Sequence, residues 1–178
     1  MNIDNQLIVI NTPKNNKFLA VVDIKKEFTT NEGNFAFSQI KNIPSLVKTS
    51  TGINFKIYNP SYKEFVLLMK RGPQIIYPKD VAQIILESNI HNSSKVLEIG
   101  SGSGALTLYL YTLLKNTGVI YSLDSSRINQ RRADKTISRY ISTLSDENKD
   151  ITFINEELVN FKYKTLNEKI DAIITDVP

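Results

Sequence analysis

An acidic residue stands two positions before a run of alternating glycines in the middle of the chain. The segment 94–105 has the pattern of a short apolar strand followed by a turn, with Glu98 ahead of Gly100, Gly102 and Gly104. Glycine lets the backbone bend tightly and approach a ligand closely, and a helix N-terminus after such a turn binds anions. The glycines alone therefore fit a dinucleotide pyrophosphate, as in a nucleotide-dependent oxidoreductase.

Glu98 changes this interpretation. A carboxylate in the strand that faces the ligand repels a pyrophosphate and attracts a cation. S-adenosylmethionine carries a positively charged ammonium and a positively charged sulfonium, so it suits such a site better than NAD does. The residues therefore predict a methyl-donor site, and the NAD-type oxidoreductase stays as an alternative.

Further carboxylates follow the predicted strands. Asp124 ends an apolar run about 20 residues beyond the turn, where an acid can accept hydrogen bonds from ribose hydroxyls; the other interpretation is an N-cap of the next helix. Glu157 or its neighbour Glu156 could accept a hydrogen bond from the adenine amine of the cofactor, or either could be a plain surface acid. Asp176 follows the last apolar strand, which favours an active-site role over a simple turn residue.

The elements that position these residues change character near residue 60. Residues 1–60 show short apolar runs between turn formers, which predict a small β-rich domain with strands near 7–10, 18–22, 35–37 and 54–58. Ser61 and Glu64 match a capping box, so a helix should begin there. The rest of 61–178 alternates in the manner of a parallel α/β sheet. We predict helices at 79–89, 104–115 and 126–144, and strands at 95–99, 118–123, 151–154 and 170–175.

Composition narrows the class of protein. The 178 residues are 41% hydrophobic, with no cysteine and one histidine, His91. This predicts no metal site, and the absence of a long apolar run or a leader pattern predicts a soluble, intracellular protein without a membrane segment. The 22 basic against 18 acidic residues leave a net charge of +4, which permits a polyanionic partner.

Two segments together resemble a known family. Residues 69–80 contain Arg-Gly-Pro-Gln-Ile-Ile-Tyr-Pro-Lys-Asp, and the Val-Leu-Glu-Ile-Gly-Ser-Gly-Ser-Gly turn follows at 96–104. They resemble the tRNA adenine-N1 methyltransferases that modify adenosine 58 in the T-loop. The resemblance implies a Rossmann-like class I methyltransferase sheet, S-adenosylmethionine as cofactor, tRNA as partner, and direct in-line transfer of the methyl group to N1.

The resemblance also implies roles for single residues. Gln74 and Tyr77 would lie at the pocket for cofactor and target base, although Tyr77 taken alone fits core packing as well. Asp176 would meet the target base. The cofactor would be held through its methionine moiety, ribose and adenine by these residues: Glu98, Gly100, Ser101, Gly102, Ser103, Gly104, Asp124 and Glu157.

The resemblance bears on assembly too. Family members continue beyond the point that corresponds to Pro178, so we expect a C-terminally truncated sheet. They form homotetramers, or pair a catalytic chain with a fold-related partner that lacks the cofactor motif. A non-catalytic tRNA-binding subunit is therefore an alternative for this chain, but it retains Glu98, the glycines, Asp124 and Asp176.

A basic stripe is predicted on the helix at 126–144. Arg127, Arg131, Lys135 and Arg139 recur every four residues, with Arg132 beside them. Together with Lys70 and Arg71 they could contact tRNA phosphates. An ordinary solvated helix face explains the same pattern.

Overall fold

The computed structural model describes residues 3–69, 75–114, 117–142, 151–166 and 169–177. These residues divide into two compact units, the first formed by 3–69 and the second by 75–141 together with 151–177. Each unit has its own four-stranded sheet. None of the helices within the described ranges is long and apolar enough to cross a membrane.

The first unit is antiparallel. Its strands are β1 (Leu7–Asn11), β2 (Lys17–Val21), β3 (Glu27–Thr30), β4 (Gly33–Ala36), β5 (Ser45–Lys48) and β6 (Asn54–Tyr58). Four of them form a sheet in the order β2-β1-β6-β5, and β3 and β4 form a separate hairpin. The core is apolar and aromatic, with Phe35 in edge-to-face contact with Phe37 and Phe55.

The predicted β-rich unit is present, but two of its strands were not predicted. Thr29 and Thr30 of β3 stand next to the turn formers Asn31 and Gly33, so the sequence pattern assigns them to a turn. In the structure the turn is confined to residues 31–32. Strand β5 contains only Leu46 and Val47 as apolar residues, too few for an alternating pattern. The predicted strand at 35–37 is shifted, because β4 ends at Ala36 and Phe37 begins a 3-10 turn.

Helix α1 (Tyr62–Leu68) follows β6 and begins with the predicted capping box. Ser61 Oγ accepts from the Glu64 amide, and the Glu64 carboxylate accepts from the Ser61 amide. Glu64 also accepts from Lys17 Nζ at 2.6 Å and from the Tyr58 hydroxyl at 2.8 Å. These bonds hold α1 in the first unit. A domain boundary at residue 60 stays a prediction.

The second unit is a parallel sheet with helical crossovers. Its elements are α2 (Pro78–Glu87), β7 (Lys95–Ile99), α3 (Ala105–Leu114), β8 (Val119–Leu123), α4 (Arg127–Ile141), β9 (Ile151–Ile154) and β10 (Ala172–Thr175). The strand order is β10-β7-β8-β9, and all three pairings are parallel. From β7 the chain adds β8 and β9 on one side and then places β10 on the other side of β7. The carboxyl end of β7 is therefore a topological switch point.

The predicted alternation of helices and strands in this unit is confirmed, with boundaries moved by a few residues at most within the described ranges. Residues 115 and 143–144, where two of the predicted helices end, lie outside the described residues. Helix α2 begins with Pro78, whose fixed φ suits the first helical position. Helix α3 is buried nearly all round, which fits its continuous apolar sequence. Helix α4 instead buries one stripe that includes Ala133, Ile137 and Tyr140. The parallel sheet and its covering helices therefore present the carboxyl ends of four strands at one edge.

Candidate functional site

The glycine turn after β7 is fixed to both neighbouring strands. The Gly100 amide donates to the Leu123 carbonyl at 2.7 Å, and the Asp176 amide donates to the Ile99 carbonyl at 2.9 Å. Gly100 has φ +101°, and a Cβ built there would lie 2.4 Å from the Asp176 carbonyl oxygen. Only glycine fits this position, because a side chain would be strained by φ and would collide with the backbone after β10.

Gly102 faces open space. It has φ +50°, and apart from its chain neighbours no atom of the described residues lies within 4 Å of the position a Cβ would take. Its amide donates to Asp124 Oδ2 at 3.2 Å. The turn therefore has one glycine that allows close packing of strands and a second glycine that leaves room beside the backbone.

Two adjoining cavities lie at this edge of the sheet and share Gly100, Asp124, Ser125 and Val177. The larger one, of about 930 Å³, is also lined by Ile75, Ile76, Tyr77, Asp80, Ile84, Gly102, Ser126, Asn129 and Asp176. The smaller one, of about 240 Å³, is also lined by Ile99, Leu123, Glu156, Glu157 and Leu158. We call the two cavities together the cleft.

The cleft is acidic. Five carboxylates line it, namely Asp80, Asp124, Glu156, Glu157 and Asp176, and no lysine or arginine is found among the described lining residues. A crevice with one sign of charge and low-dielectric walls concentrates ions of the opposite sign. The lining therefore favours a cationic ligand over a phosphorylated one.

Asp124 connects the glycine turn with the start of α4. Its Oδ1 accepts from the Ser126 amide at 2.7 Å while its Oδ2 accepts from Gly102. Asn155, just after β9, donates through Nδ2 to the carbonyls of Asp124 and Ser125. Asp124 thus binds the amide that precedes α4 and also lines the cleft. Each of its carboxylate oxygens can accept a further hydrogen bond from a ligand.

Glu98 lies behind the turn and not at the cleft surface. Its side chain is fully buried. Its Oε2 accepts from Thr107 Oγ1 at 2.6 Å and from Ser122 Oγ. Ser122 Oγ also lies 2.7 Å from Ser101 Oγ, within hydrogen-bond distance. Oε1 is buried with no hydrogen-bond partner among the described residues. The carboxyl group thus joins β7, β8, α3 and the glycine turn from below.

The protonation of Glu98 is unusual. Burial raises its pKa from 4.5 to about 7; hydrogen bonds from Ser122 and Thr107 oppose this rise, and the charges of Asp176 and Asp124 add to it. Near neutral pH the side chain is therefore balanced between the neutral and the charged form. A cation bound in the cleft would favour the charged form.

The predicted site residues fall into three groups. Those that line the cleft are Tyr77, Gly100, Gly102, Asp124, Glu157 and Asp176, and Glu156 lines it as well. Those that lie behind it are Glu98, Ser101, Ser103 and Gly104; a Cβ on Gly104 would lie 2.7 Å from Ala133 Cα of α4. Gln74 lies outside the described residues. That any of them contacts the cofactor or the base stays a prediction.

Ser122, Thr107 and Asn155 were missed by the sequence analysis. Ser122 pairs directly with Glu98 in the parallel register of β7 and β8. A buried serine inside the apolar run Val119–Leu123 is the signal that could have revealed it. Thr107 is equally buried, in the first turn of α3. Within the described ranges there is no group of three His, Cys, Asp or Glu side chains placed to hold a metal ion.

The fold and the family are shown by comparison with known proteins. The sheet with a glycine turn after its first strand is the Rossmann-like fold of S-adenosylmethionine-dependent methyltransferases. The chain belongs to the family described as "tRNA methyltransferase complex GCD14 subunit", whose model matches residues 57–178.

Individual relatives agree. The chain is 28% identical over 95 residues to tRNA (adenine(58)-N(1))-methyltransferase TrmI of Thermus thermophilus, covering 53% of this chain and 37% of the relative. It is 30% identical over 149 residues to tRNA (adenine(57)-N(1)/adenine(58)-N(1))-methyltransferase TrmI of Methanocaldococcus jannaschii, covering 74% and 53%. The chain thus spans about a third to a half of the length of these relatives.

Two solved structures show the fold. The crystal structure of tRNA (m1A58) methyltransferase TrmI from Aquifex aeolicus superposes with a TM-score of 0.75 at 26% identity, covering 90% of this chain and 61% of that one. A SAM-dependent O-methyltransferase from Thermotoga maritima gives a TM-score of 0.88 at 21% identity, covering 100% and 64%.

The raised pKa of Glu98 predicts a pH-dependent stability. Between pH 4.5 and 7 the folded chain holds one proton more than the unfolded chain, so the free energy of unfolding should fall as pH rises through this window. The fall should be on the order of 3 kcal/mol. Glu98→Gln, which cannot ionise, should flatten the curve between pH 5 and 8, as measured by urea denaturation.

Glu157→Gln is the matched control, because it makes the same chemical change at an exposed position. It should keep the slope of the original chain. If the original chain and Glu98→Gln show the same slope, Glu98 does not carry the buried proton.

Proposed function

We propose that this chain is the S-adenosylmethionine-binding part of an enzyme that methylates N1 of an adenine in tRNA, at the position numbered 58 in its relatives. The observation that carries the proposal is the acidic cleft at the carboxyl edge of the parallel sheet. Family membership supports tRNA as the substrate.

The described residues fit the cofactor. Gly102 leaves open space at the turn, and Asp124 stands beside it with acceptor capacity for ribose hydroxyls. Glu157, or Glu156, lines the smaller cavity where the adenine would lie. Glu98 Oε1, buried and without a hydrogen-bond partner among the described residues, supports an electrostatic role in binding a cation through the turn. Glu98 is half protonated at pH 7, so its own attraction for a cation is weak. The five carboxylates of the cleft together attract a cation more strongly.

The chemistry is a single displacement. When bound, S-adenosylmethionine supplies a methyl group activated by the positive charge on sulfur. Asp124 and Glu157 would hold the donor so that the adenine N1 lone pair could form the N–C bond as the S–C bond breaks, with the bonding electron pair left on sulfur. The chain contributes alignment of the two reactants, which needs no covalent intermediate with the protein.

Asp176 is suited to stabilise the charge that develops. N1 becomes positive as it is alkylated, and a carboxylate that accepts a hydrogen bond from the adjacent exocyclic amine stabilises this charge. Asp176 lines the larger cavity, and its backbone is anchored to β7 through the Ile99 carbonyl.

Tyr77 is suited to receive the base. Its side chain is 49% exposed at the larger cavity, and it immediately precedes Pro78 at the start of α2. An adenine must leave its stacked position before N1 can be reached, and an aromatic ring offers it a new stacking surface. Its exposure favours this role over core packing.

Two alternatives are less well supported. The acidic lining disfavours an NAD-type oxidoreductase, since a pyrophosphate would be repelled. A non-catalytic subunit would not need the open face of Gly102 or Asp176 at the cavity.

Two kinds of assembly fit the proposed function. One relative, from Candida glabrata, is named the catalytic subunit TRM61. We therefore propose that this chain forms either a hetero-oligomer or a homo-oligomer.

Gly102→Ala should reduce binding of S-adenosylmethionine about tenfold or more, because the new methyl group projects into the space beside the turn. The positive φ should cost on the order of 1 kcal/mol of stability. Isothermal titration calorimetry and urea denaturation measure the two effects separately.

Gly52→Ala is the matched control, with φ +83° in the first unit; apart from its chain neighbours, Lys48 Cε at 3.8 Å is the one atom of the described residues within 4 Å of the Cβ position. It should lose similar stability and keep the affinity of the original chain. Equal affinity in Gly102→Ala and Gly52→Ala would remove the turn from the cofactor site.

Asp176→Asn should lower the rate of N1-methyladenosine formation in transcribed tRNA by roughly a hundredfold or more. The amide removes the negative charge, and the backbone bond to Ile99 is kept. Mass spectrometry of digested tRNA gives the rate, and calorimetry should show that S-adenosylmethionine still binds. An unchanged rate would exclude electrostatic stabilisation by Asp176.

A further inference from the structure

Helix α4 carries the whole net charge of the chain. It contains five basic residues and one acidic residue, Asp134, so its net charge is 5 − 1 = +4. The whole chain has 22 basic and 18 acidic residues, so the remainder has 17 of each. Positive charge is therefore concentrated on one element.

The positive charge lies on the exposed side of this helix. Arg127, Arg131, Arg132 and Lys135 are exposed, and we call these four residues the basic face. Arg139, which the sequence pattern adds to them, is only partly exposed and does not belong to this face, and the predicted Lys70 and Arg71 lie outside the described residues. The ion pairs found among the described residues are Lys17–Glu64, Lys26–Asp23 and Lys79–Asp80, and none of them includes the basic face.

This arrangement is unfavourable for the helix itself. Arg127 and Arg131, and likewise Arg131 and Lys135, are four residues apart, and like charges at this spacing destabilise a helix. Arg127 is also the first residue of α4, where the helix dipole disfavours a cation. A helix face that served only solubility would alternate acids and bases. Asp134, the one acidic residue of α4, is exposed too, so the exposed residues of the helix include four cations and one acid. This excess of positive charge indicates a function that needs a cationic surface.

The basic face begins at the mouth of the cleft. Ser126 and Asn129 line the larger cavity and stand on either side of Arg127 in sequence. From Arg127 to Lys135 the face runs about 12 Å along the helix. The acidic cleft and the basic face are thus adjacent regions of opposite charge within one compact unit.

We propose that the basic face docks the sugar-phosphate backbone of the RNA whose base enters the cleft. This proposal rests on the proposed function. The acidic lining excludes phosphates from the cleft, so the backbone on either side of the extruded base needs a cationic surface next to it. Arginine and lysine contacts to phosphate fix register and orientation without reading sequence.

The test neutralises the face without breaking the helix. Arg127→Gln, Arg131→Gln and Lys135→Gln are combined in one variant, because glutamine is a good helix former. Binding of a fluorescein-labelled tRNA transcript is measured by anisotropy between about 50 and 200 mM salt. The plot of log K against log salt should become shallower by about 2 to 3, and affinity should fall at every salt concentration.

The matched control neutralises three exposed lysines elsewhere, Lys25→Gln, Lys48→Gln and Lys164→Gln, and should keep the original slope. The proposal would be overturned by an unchanged slope in the α4 variant or by an equal change of slope in the control. It would also be overturned if the original chain did not bind tRNA, or if it bound phosphatidylserine vesicles more tightly than tRNA.

A second readout separates this proposal from the proposed function. Calorimetry with S-adenosylmethionine should give the same isotherm for the α4 variant and the original chain. If the original chain does not bind S-adenosylmethionine, the proposed function fails whatever the salt slopes show. If the cofactor binds and the slopes agree, only the docking proposal fails.

Discussion

The concentration of carboxylates at the carboxyl edge of the parallel sheet is the constraint on which the proposed site depends. Asp124, Asp176, Glu156, Glu157 and Asp80 converge on one cleft, with no basic side chain among the described residues of its lining. Such a concentration of charge is unfavourable unless donors or cations offset it. Among the described residues, the Gly102 and Ser126 amides donate to Asp124, and Lys79 Nζ lies 4.0 Å from Asp80 Oδ1. We propose that a cationic ligand offsets the charge of the other carboxylates.

Two other features follow from this constraint. Glu98, buried behind the turn, has its pKa raised to about 7 by burial and by its acidic neighbours, so it need not add a full charge to the site. The described residues that line the cleft include no lysine or arginine, and α4 carries a net charge of +4. In the proposed function, one unit offers separate surfaces to a cationic donor and to a polyanionic substrate.

Much of this arrangement could be predicted from the sequence. The alternation of strands and helices after residue 61 has strong periodic signals. Because ligands bind at the carboxyl ends of parallel strands, Asp124 and Asp176 could be predicted to lie at the same edge of the sheet. The position of Glu98 could not be predicted, because a strand residue next to a turn can face either way. Strand β5 escaped prediction because its stability comes from pairing with β6 and not from its own pattern. The bond between Ser122 and Glu98 depends on the register of two strands, which only the folded sheet defines.

The most direct test of the account compares two ligands on the same chain. Isothermal titration calorimetry near pH 8, where Glu98 is largely ionised, should show one S-adenosylmethionine bound per chain and no measurable binding of NAD. Binding of NAD in preference to S-adenosylmethionine would contradict the claim that the acidic cleft selects a positively charged methyl donor.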